Sequence, residues 1–576
     1  MTDTVLVAGQ SWQQLLARRS FIELDALGRA TALLDRGTVR VLAGPFDRLE
    51  SPWLAPQGVT PQADDGTVIA RGTVNGHPVV VAAIEQGFQG GGTGEVSGAK
   101  ISQALLLAAR ETRASRTPVA AVILFETGGV RLQEANLGLN AVAEICSAVL
   151  DLRPLAPVIG IVAGTVGSFG GMSIAAGLCT RLIVTPQARM GLNGPAVIEQ
   201  EGGVEEFDSS DHTLIWAIDG GEQRCATGLA DDLVPDDADL LRAALIDAVN
   251  VGVTDAGQHR SQRLDVLASR LATLNPSDSP SPDDLRRVWG PHYTPVPAAA
   301  TTAEATVADY PQTRGRSWLR ALVGDATIDP IIPSVLAATT PAATYLAVVP
   351  DPGNRFYRAR HGEVGLTESL ALAQAVHDVI AADDGKAVKR AIIAVVDLPS
   401  QAYGRNEEMG GLHQAMATTV DAYHRARNAG HPIVAFVVGT ALSGGFLTHG
   451  LQANQILALD DPHVEIHAMH EAAAARITLR TIDELNELAK TILPMSYRVE
   501  DWAKLGFCDG LLPVENADTP TPSDVEKATK AIADATDRAR RGPLDLSNRL
   551  DSEAAVTMRH ASRAVRELLA RQWNPE

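Results

Sequence analysis

Two long runs without a charged residue constrain this chain more than any other feature of its sequence. Residues 154–180 and residues 432–459 contain no Asp, Glu, Lys or Arg. Their length alone would permit a membrane-spanning helix, but each run opens with proline, continues through a valine- and isoleucine-rich stretch and then meets several glycines. That order is typical of a buried parallel strand that turns directly into a helix. We therefore expect an α/β architecture and no membrane insertion.

The two runs also repeat one pattern. In each, a strand is followed by Gly-Thr and then by a glycine pair that opens a helix, Gly170-Gly171 in the first run and Gly444-Gly445 in the second. Two more segment pairs keep nearly the same offset, since GLADDLV matches GFCDGLL and AVILFE matches AIIAVVD. Three ordered correspondences indicate internal duplication, and thus two tandem copies of one α/β fold.

A segment rich in Pro, Ser, Ala and Thr separates the copies and has no apolar periodicity. We therefore predict an N-terminal domain over residues 1–275, a linker over residues 276–315, and a C-terminal domain over residues 316–576 that ends in a helical extension. At 576 residues the chain is long enough for each domain to bury its own core.

Charge and cysteine content exclude some classes of protein. The formal net charge of −20 argues against a nucleic acid partner, because a phosphate backbone requires clustered Lys and Arg. The four cysteines are scattered and show no C-x-x-C spacing, which suits a reducing cytoplasm.

The glycine pairs indicate chemistry as well as packing. The first turn of any helix has backbone N–H groups without an intrahelical acceptor, and glycine lets a ligand approach these groups closely. A strand that ends in such a turn is therefore suited to hold an anion. Close packing of strand on helix explains a lone glycine pair equally well, but the presence of a pair in both halves favours a functional role.

Motifs for other chemistries are missing. The run GGGTGEVSGAK lacks the spacing of a P-loop or a dinucleotide site, and we interpret it as a substrate-binding or helix-capping loop. There is no G-x-S-x-G or H-E-x-x-H sequence, and His467 and His470 have no third ligand nearby, so we predict no metal. Two oxyanion-type sites without a nucleophile or a metal suggest an enolate intermediate, because backbone donors stabilise the charge that builds on a carbonyl oxygen.

Longer motifs are distributed over both halves. Those of the first half are GPFDRLESPWL, PQADDGTVIARG, GEVSGAK, FETGGVRLQEANLGL, GSFGGMS, GLNGPAVIEQEGG and GGEQRCATGL. Those of the second half are AVVPDPGNRFYRARHGEVGL, VDLPSQAYGRNEE, SGGFLTHGLQANQILALDDP and AAARIT. They resemble the carboxyltransferases of the crotonase superfamily and, in detail, the β and γ subunits of biotin-independent malonate decarboxylases, joined here in one chain.

The resemblance implies a crotonase-like ββα spiral in each domain. It places the active site between an N-terminal domain and a C-terminal domain that often belongs to the partner protomer of a homodimer. The implied substrate is a malonyl thioester on an acyl carrier subunit, whose phosphoribosyl-dephospho-CoA arm supplies the thiol. The implied products are the acetyl thioester and CO2, with no covalently bound cofactor. An acyl-carrier transferase subunit is a further implied partner, and the implied complex is cytoplasmic.

By family position, the resemblance places the catalytic N–H donors in the glycine pairs of both domains. These are Gly128, Gly129, Gly170 and Gly171 in the first domain and Gly444 and Gly445 in the second. In biotin-dependent relatives the second set holds the ureido oxygen of biotin. In this chain the second set could bind the departing carboxylate, bind bicarbonate or have no function.

Polar residues beside these turns are the candidates for substrate binding. They are Gln401, Ala402, Tyr403, Arg405 and His449, together with Arg131. Arg131 could attract the substrate carboxylate or pair with Glu134 at helical spacing, and the ion pair is the favoured interpretation. The proton donor to C2 of the enolate is Tyr403, His449 or water.

Two other functions are compatible with the sequence. A biotin-dependent carboxyltransferase acting on an acyl-CoA or on malonyl-ACP uses the same fold, and a non-catalytic scaffold keeps the fold without its chemistry. The γ-like motifs favour decarboxylation over the first alternative. The presence of both glycine pairs disfavours the second.

Overall fold

The computed structural model describes residues 16–290, 293–295 and 311–574. Within them the chain forms two α/β halves, each built on one sheet. The strands of the first half are β1 (Arg40–Leu42), β2 (Thr67–Val74), β3 (His77–Ile84), β4 (Ala120–Phe125), β5 (Val158–Val162), β6 (Arg181–Val184) and β7 (Asp232–Leu233). Those of the second half are β8 (Ile328–Ile332), β9 (Val335–Thr339), β10 (Ala343–Val348), β11 (Ala391–Leu398), β12 (Ile433–Leu442), β13 (Gln455–Leu459), β14 (Ile466–His467) and β15 (Gly510–Leu512).

Helices cover both sheets. In the first half they are α1 (Ala26–Leu33), α2 (Glu95–Ser115), α3 (Ala135–Leu152), α4 (Gly171–Leu178), α5 (Pro195–Gly202), α6 (His212–Asp219), α7 (Gly221–Ala226), α8 (Ala238–Val251), α9 (Leu264–Thr273) and α10 (Pro282–Trp289). In the second half they are α11 (Arg314–Val323), α12 (Leu366–Ala382), α13 (Arg405–Met409), α14 (Leu412–Asn428), α15 (Ser443–His449), α16 (Glu471–Ile477), α17 (Ile482–Ala489), α18 (Val499–Lys504), α19 (Pro522–Arg541), α20 (Glu553–Met558) and α21 (His560–Trp573).

Each sheet begins with antiparallel strands and continues with parallel ones. Strands β1 to β3 pair antiparallel, as do β8 to β10. From β3 to β7 and from β10 through β11, β12 and β13 to β15 the pairing is parallel. All residues of β4 and β5 are buried, because both faces of a parallel sheet are covered. The predicted mixed α/β class is confirmed and the strand orders of the halves correspond, while their common origin stays a prediction.

The two uncharged runs fold as the sequence predicts. The first forms β5 and α4, and the second forms β12 and α15. In the described part of the chain, the stretch Leu132–Leu152 is long and apolar enough to cross a membrane, but 94% of its apolar window is buried inside the protein. This stretch contains α3, which is a core helix.

The predicted linker contains regular structure. Helix α10 lies inside it and begins with a capping box, in which Ser281 and Asp284 bond reciprocally. Its Leu285 and Trp289, four residues apart, are buried, and the Trp289 indole N–H donates to the Thr273 hydroxyl of the first half at 2.8 Å. That single pair is too short a pattern to stand out in a segment rich in Pro and Ser. Residues 291–292 and 296–310 lie outside the described residues, so the domain boundaries stay a prediction.

The two halves pack on each other through buried charged groups. Arg153, the residue after α3, pairs with Asp421 of α14 at 2.6 Å. Glu144, on α3, pairs with Arg559 at 2.7 Å and with Arg566 of α21 at 2.5 Å. Helix α21, predicted as an extension of the C-terminal domain, therefore packs on the first half.

Candidate active site

A cavity of about 170 Å³ lies where the two halves meet. Six residues predicted from the sequence line it: Gly128, Gly170, Gly171, Gln401, Tyr403 and Gly444. Both walls belong to the same chain, whereas the resemblance allowed one wall to come from a partner protomer.

The turn after β4 forms one wall, and the N–H groups of both its glycines already have acceptors. The N–H of Gly128 donates to the Gly90 carbonyl oxygen at 3.0 Å, and the N–H of Gly129 donates to the Thr127 hydroxyl at 3.0 Å. The glycine-rich run GGGTG thus packs against this turn, and Gly94 caps α2. The structure places both predicted donors in internal hydrogen bonds.

The turn before α4 faces the first one. Gly170 has a φ of 59°, which favours glycine, and its N–H donates to the Leu192 carbonyl oxygen at 2.8 Å. A Cβ atom added at Gly129 would lie 3.2 Å from the Gly170 Cα, so the glycines allow the two turns to touch. In the described part of the chain, no acceptor bonds the main-chain N–H of Val130 or that of Gly171. Both residues line the cavity, so their N–H groups are two unpaired donors on its wall.

The second half repeats this backbone arrangement, but one of its N–H donors is occupied. Val364 and Gln401 form the same isolated parallel bridge as Thr93 and Val130, so Gln401 takes the place of Val130. Ser443 takes the place of Gly170, with a φ of 55°.

The occupied donor is the main-chain N–H of Gly444, at the start of α15. The N–H of Gly444 donates to Oε1 of Gln401 at 2.7 Å. Nε2 of Gln401 in turn donates to Oδ1 of Asn193 at 2.8 Å, and Nδ2 of Asn193 donates to the Ala402 carbonyl oxygen at 2.8 Å. Gln401 thus lines the cavity as predicted, with its amide bonded to protein on both sides. Ala402 contributes its main-chain oxygen to this chain of bonds.

Gly445 has a packing role in the structure. A Cβ atom there would lie 2.7 Å from the Ser400 carbonyl oxygen, which requires glycine in this backbone position. The residue is buried and does not belong to the cavity lining.

Tyr403 brings a hydroxyl group to the cavity. Its oxygen lies 3.4 Å from Oγ of Ser443, which also donates to the Ala468 carbonyl oxygen at 2.9 Å. Burial raises the pKa of Tyr403 to about 12. The hydroxyl is therefore protonated at neutral pH and can donate a proton.

Three predicted substrate-binding side chains lie elsewhere. Arg131 is buried and pairs with Asp65 and Glu134, each at 2.8 Å, which confirms the ion-pair interpretation. These two carboxylates override burial and raise the pKa of Arg131. His449 is also fully buried, and its Nδ1 bonds the Tyr423 hydroxyl at 2.8 Å, away from the cavity.

Burial lowers the pKa of His449 to about 4, so the imidazole is neutral. Arg405 lies at the start of α13, where its main-chain N–H donates to Glu206 at 2.8 Å. Neither side chain lines the cavity. Within the described ranges, no three His, Cys, Asp or Glu side chains form a group that could hold a metal ion.

Sequence reasoning did not single out Asn193 and Glu408. The Glu408 carboxylate accepts the main-chain N–H groups of Leu192 at 3.0 Å and of Asn193 at 2.6 Å, and so holds the first-half loop against the second half. Burial raises the pKa of Glu408, and the charge of Arg224 at 3.8 Å opposes that rise. Both residues stand in quoted motifs, GLNGPAVIEQEGG and VDLPSQAYGRNEE, but no spacing within either half reveals a bond between them.

Known families match both halves. The family described as carboxyl transferase domain matches residues 29–291, and the family described as malonate decarboxylase gamma subunit matches residues 359–573. The chain is 35% identical over 288 residues to the malonyl-S-ACP:biotin-protein carboxyltransferase MADC of Malonomonas rubra, covering 48% of this chain and 90% of that protein. It is 42% identical over 140 residues to the corresponding MADD protein, covering 24% of this chain and 48% of that protein. A solved chain of a Pseudomonas malonate decarboxylase hetero-tetramer in complex with malonate is 53% identical, with a TM-score of 0.47, over 48% of this chain and 99% of that chain.

Two α/β halves with backbone donors around a shared cavity, together with these matches, define a protein of the carboxyltransferase class. The chain belongs to the carboxyltransferase family and joins a β-type and a γ-type malonate decarboxylase half in one polypeptide.

Proposed function

We propose that this enzyme decarboxylates a malonyl thioester carried on an acyl carrier subunit, giving the acetyl thioester and CO2. The observation that carries the proposal is the pair of unpaired N–H groups, of Val130 and Gly171, on the cavity wall. Such a pair suits the thioester oxygen, because negative charge builds on that atom as the enolate forms. Of the six glycines predicted as donors, this proposal keeps only Gly171, and it adds Val130, which the sequence did not single out.

The reaction needs no covalent bond to the protein. The bond between the substrate carboxylate and C2 breaks, CO2 leaves, and the electron pair passes into the thioester carbonyl as an enolate. Alignment of the breaking bond with the carbonyl π system is supplied by positioning, which lowers the barrier. A proton then reaches C2, and we propose Tyr403 as its donor because the hydroxyl lines the cavity and stays protonated.

A second candidate function is transfer of the carboxyl group to a biotin protein. The observation that favours it is the description of MADC and MADD, which are named as carboxyltransferases from malonyl-S-ACP to a biotin protein. The γ-subunit match over residues 359–573 favours direct decarboxylation.

The wider assembly is part of the proposal. The Pseudomonas relative is described as a hetero-tetramer, and we propose that this chain likewise works with an acyl carrier subunit and an acyl-carrier transferase subunit in the cytoplasm. The carrier arm, a phosphoribosyl-dephospho-CoA thiol, is substrate and supplies no resident cofactor. A homodimer, a ββα spiral in each half and descent of both halves by duplication complete the proposal.

The test measures CO2 release from a malonyl thioester by the full chain with its carrier, with and without avidin. The key variant is Gly171→Pro, which removes one donor at the first position of α4, where a helix tolerates proline. Gly171→Ala is the matched control, because it adds a comparable Cβ next to Leu447 and Val142 and keeps the N–H. We expect the proline variant to lose about 100- to 1000-fold in kcat relative to the alanine variant.

Three results would contradict the proposal. Equal rates for the proline and alanine variants would remove the Gly171 donor from the mechanism. Turnover that avidin abolishes would replace direct decarboxylation by transfer to biotin. Absence of any turnover in the parent, with carrier-bound malonyl thioester, would favour the scaffold.

A further inference from the structure

The two halves offer equivalent donor positions, but only one pair is open. In the first half the N–H of Gly171 has no acceptor among the described residues. In the second half the equivalent N–H, of Gly444, is filled by the carboxamide oxygen of Gln401. The occupied and the open donor both face the cavity.

The orientation of the Gln401 amide is fixed by its neighbours. The N–H of Gly444 can only donate, so the atom that faces it is the amide oxygen. The Ala402 carbonyl can only accept, so the Asn193 atom that faces it is the amide nitrogen. Asn193 Oδ1 must therefore accept from Gln401 Nε2, and the whole series of bonds has a single consistent direction.

Packing leaves Gln401 little freedom to move away. Its side chain is buried, with 8% of its surface exposed. A Cβ atom added at Gly444 would lie 3.0 Å from the Gln401 oxygen, so the amide rests directly on the backbone.

We infer that Gln401 is a resident ligand of the second donor site and determines its specificity by excluding neutral urea-type oxygens. A carboxamide oxygen and a cyclic urea oxygen are similar acceptors, so a ligand with a cyclic urea can reach Gly444 only after Gln401 withdraws. The ring of biotin belongs to this chemical class. The inference rests on the proposed function, because it takes this cavity to be the catalytic one. A second donor site filled by Gln401 is compatible with direct release of CO2 and not with transfer to biotin.

Binding of a small probe tests the inference without any turnover. The probe is 2-imidazolidone, titrated into the full chain and followed by saturation-transfer NMR. We expect Gln401→Ala to bind the probe at least about tenfold more tightly than the parent, the factor that one net hydrogen bond supplies. Gln401→Met fills the same volume without an acceptor and is expected to bind no better than the parent. Gln374→Ala, at an exposed helical glutamine, is the surface control.

A parent that binds the probe as tightly as the Gln401→Ala variant would overturn the inference, and so would a folded Gln401→Ala variant that gains no binding. Folding is checked by the thermal unfolding midpoint. Should the alanine variant not fold, Gln401→Asn takes its place, because that side chain keeps an amide but is one methylene too short to reach Gly444. The readout does not involve malonyl thioester, so its outcome is independent of whether CO2 is released.

Discussion

Asn193 and Gln401 come from different halves of the chain, and Nε2 of Gln401 donates to Oδ1 of Asn193 at 2.8 Å inside the cavity. Asn193 is itself bonded on its other side to Ala402 of the second half. The same two side-chain amides therefore hold the halves together and shape the site.

Replacing Asn193 by aspartate should be costly. The change removes the donor to the Ala402 carbonyl oxygen and places a negative charge near Glu408, whose carboxylate accepts the Asn193 main-chain N–H. We expect Asn193→Asp to lower the free energy of unfolding by about 2–4 kcal/mol, measured by urea titration. The control Asn250→Asp, at an exposed position near the end of α8, should change it by less than about 0.5 kcal/mol. Similar losses for both variants would show that the amide bonds contribute little.

Removing the Tyr403 hydroxyl should slow the reaction without altering its pH profile near neutrality. Burial raises the pKa of Tyr403 to about 12, so the group does not ionise over roughly pH 6 to 9. We expect Tyr403→Phe to lower kcat by about 100-fold, the usual size of a general-acid contribution. Tyr357→Phe, at a residue that is 61% exposed, is the control. An unchanged kcat in Tyr403→Phe would assign the proton to water.

The buried ion pair between the halves should be sensitive to loss of one partner. Arg153 pairs with Asp421, and its other donors reach the Leu178 carbonyl oxygen and the Ser261 hydroxyl. Arg153→Met leaves Asp421 charged and buried, so we expect a loss of about 3–5 kcal/mol in the free energy of unfolding. Arg48→Met, at an arginine whose side chain is 74% exposed, should cost less than about 0.5 kcal/mol. A small loss of unfolding free energy for both variants would mean that water solvates Asp421 or that another cation neutralises it.

Glu95 should make stability depend on pH. It accepts the main-chain N–H of Ser562 at 3.0 Å and the Trp53 indole N–H at 3.1 Å, and burial raises its pKa to about 7. Between the unfolded and the folded pKa, the folded state therefore keeps a proton that the unfolded state has lost. The stabilisation that this proton gives is complete below the unfolded pKa and is lost as pH rises through the folded pKa.

The measurement compares unfolding free energies of the parent and Glu95→Gln between pH 5 and pH 8. The difference between them should change by about 3 kcal/mol, with the parent losing stability relative to the variant as pH rises. The fixed cost of a weakened Trp53 bond does not affect this slope. If the unfolding free energies of the parent and of Glu95→Gln changed in parallel with pH, Glu95 would titrate normally.

The architecture could be predicted from the sequence because its signals are local. An uncharged apolar run interrupted by glycines specifies strand, turn and helix within one segment, and both such runs fold that way. Helix α10 escaped prediction because its buried face amounts to Leu285 and Trp289 within a Pro-rich segment.

The donors could not be assigned in the same way. Whether a glycine N–H is free depends on acceptors supplied from other segments, as Gly90 and Leu192 do for Gly128 and Gly170. Gln401 was correctly expected at the cavity, but its bond to Asn193 depends on how one half meets the other.

The origin of both cavity walls in a single polypeptide has a consequence for concentration. Where two separate subunits form a site, dilution separates them and the site is lost by mass action. Here the halves are tethered, so each encounters the other at an effective concentration set by the connecting segment. The stoichiometry of the halves is thus fixed at synthesis, and the cavity persists at any dilution at which the chain itself stays folded.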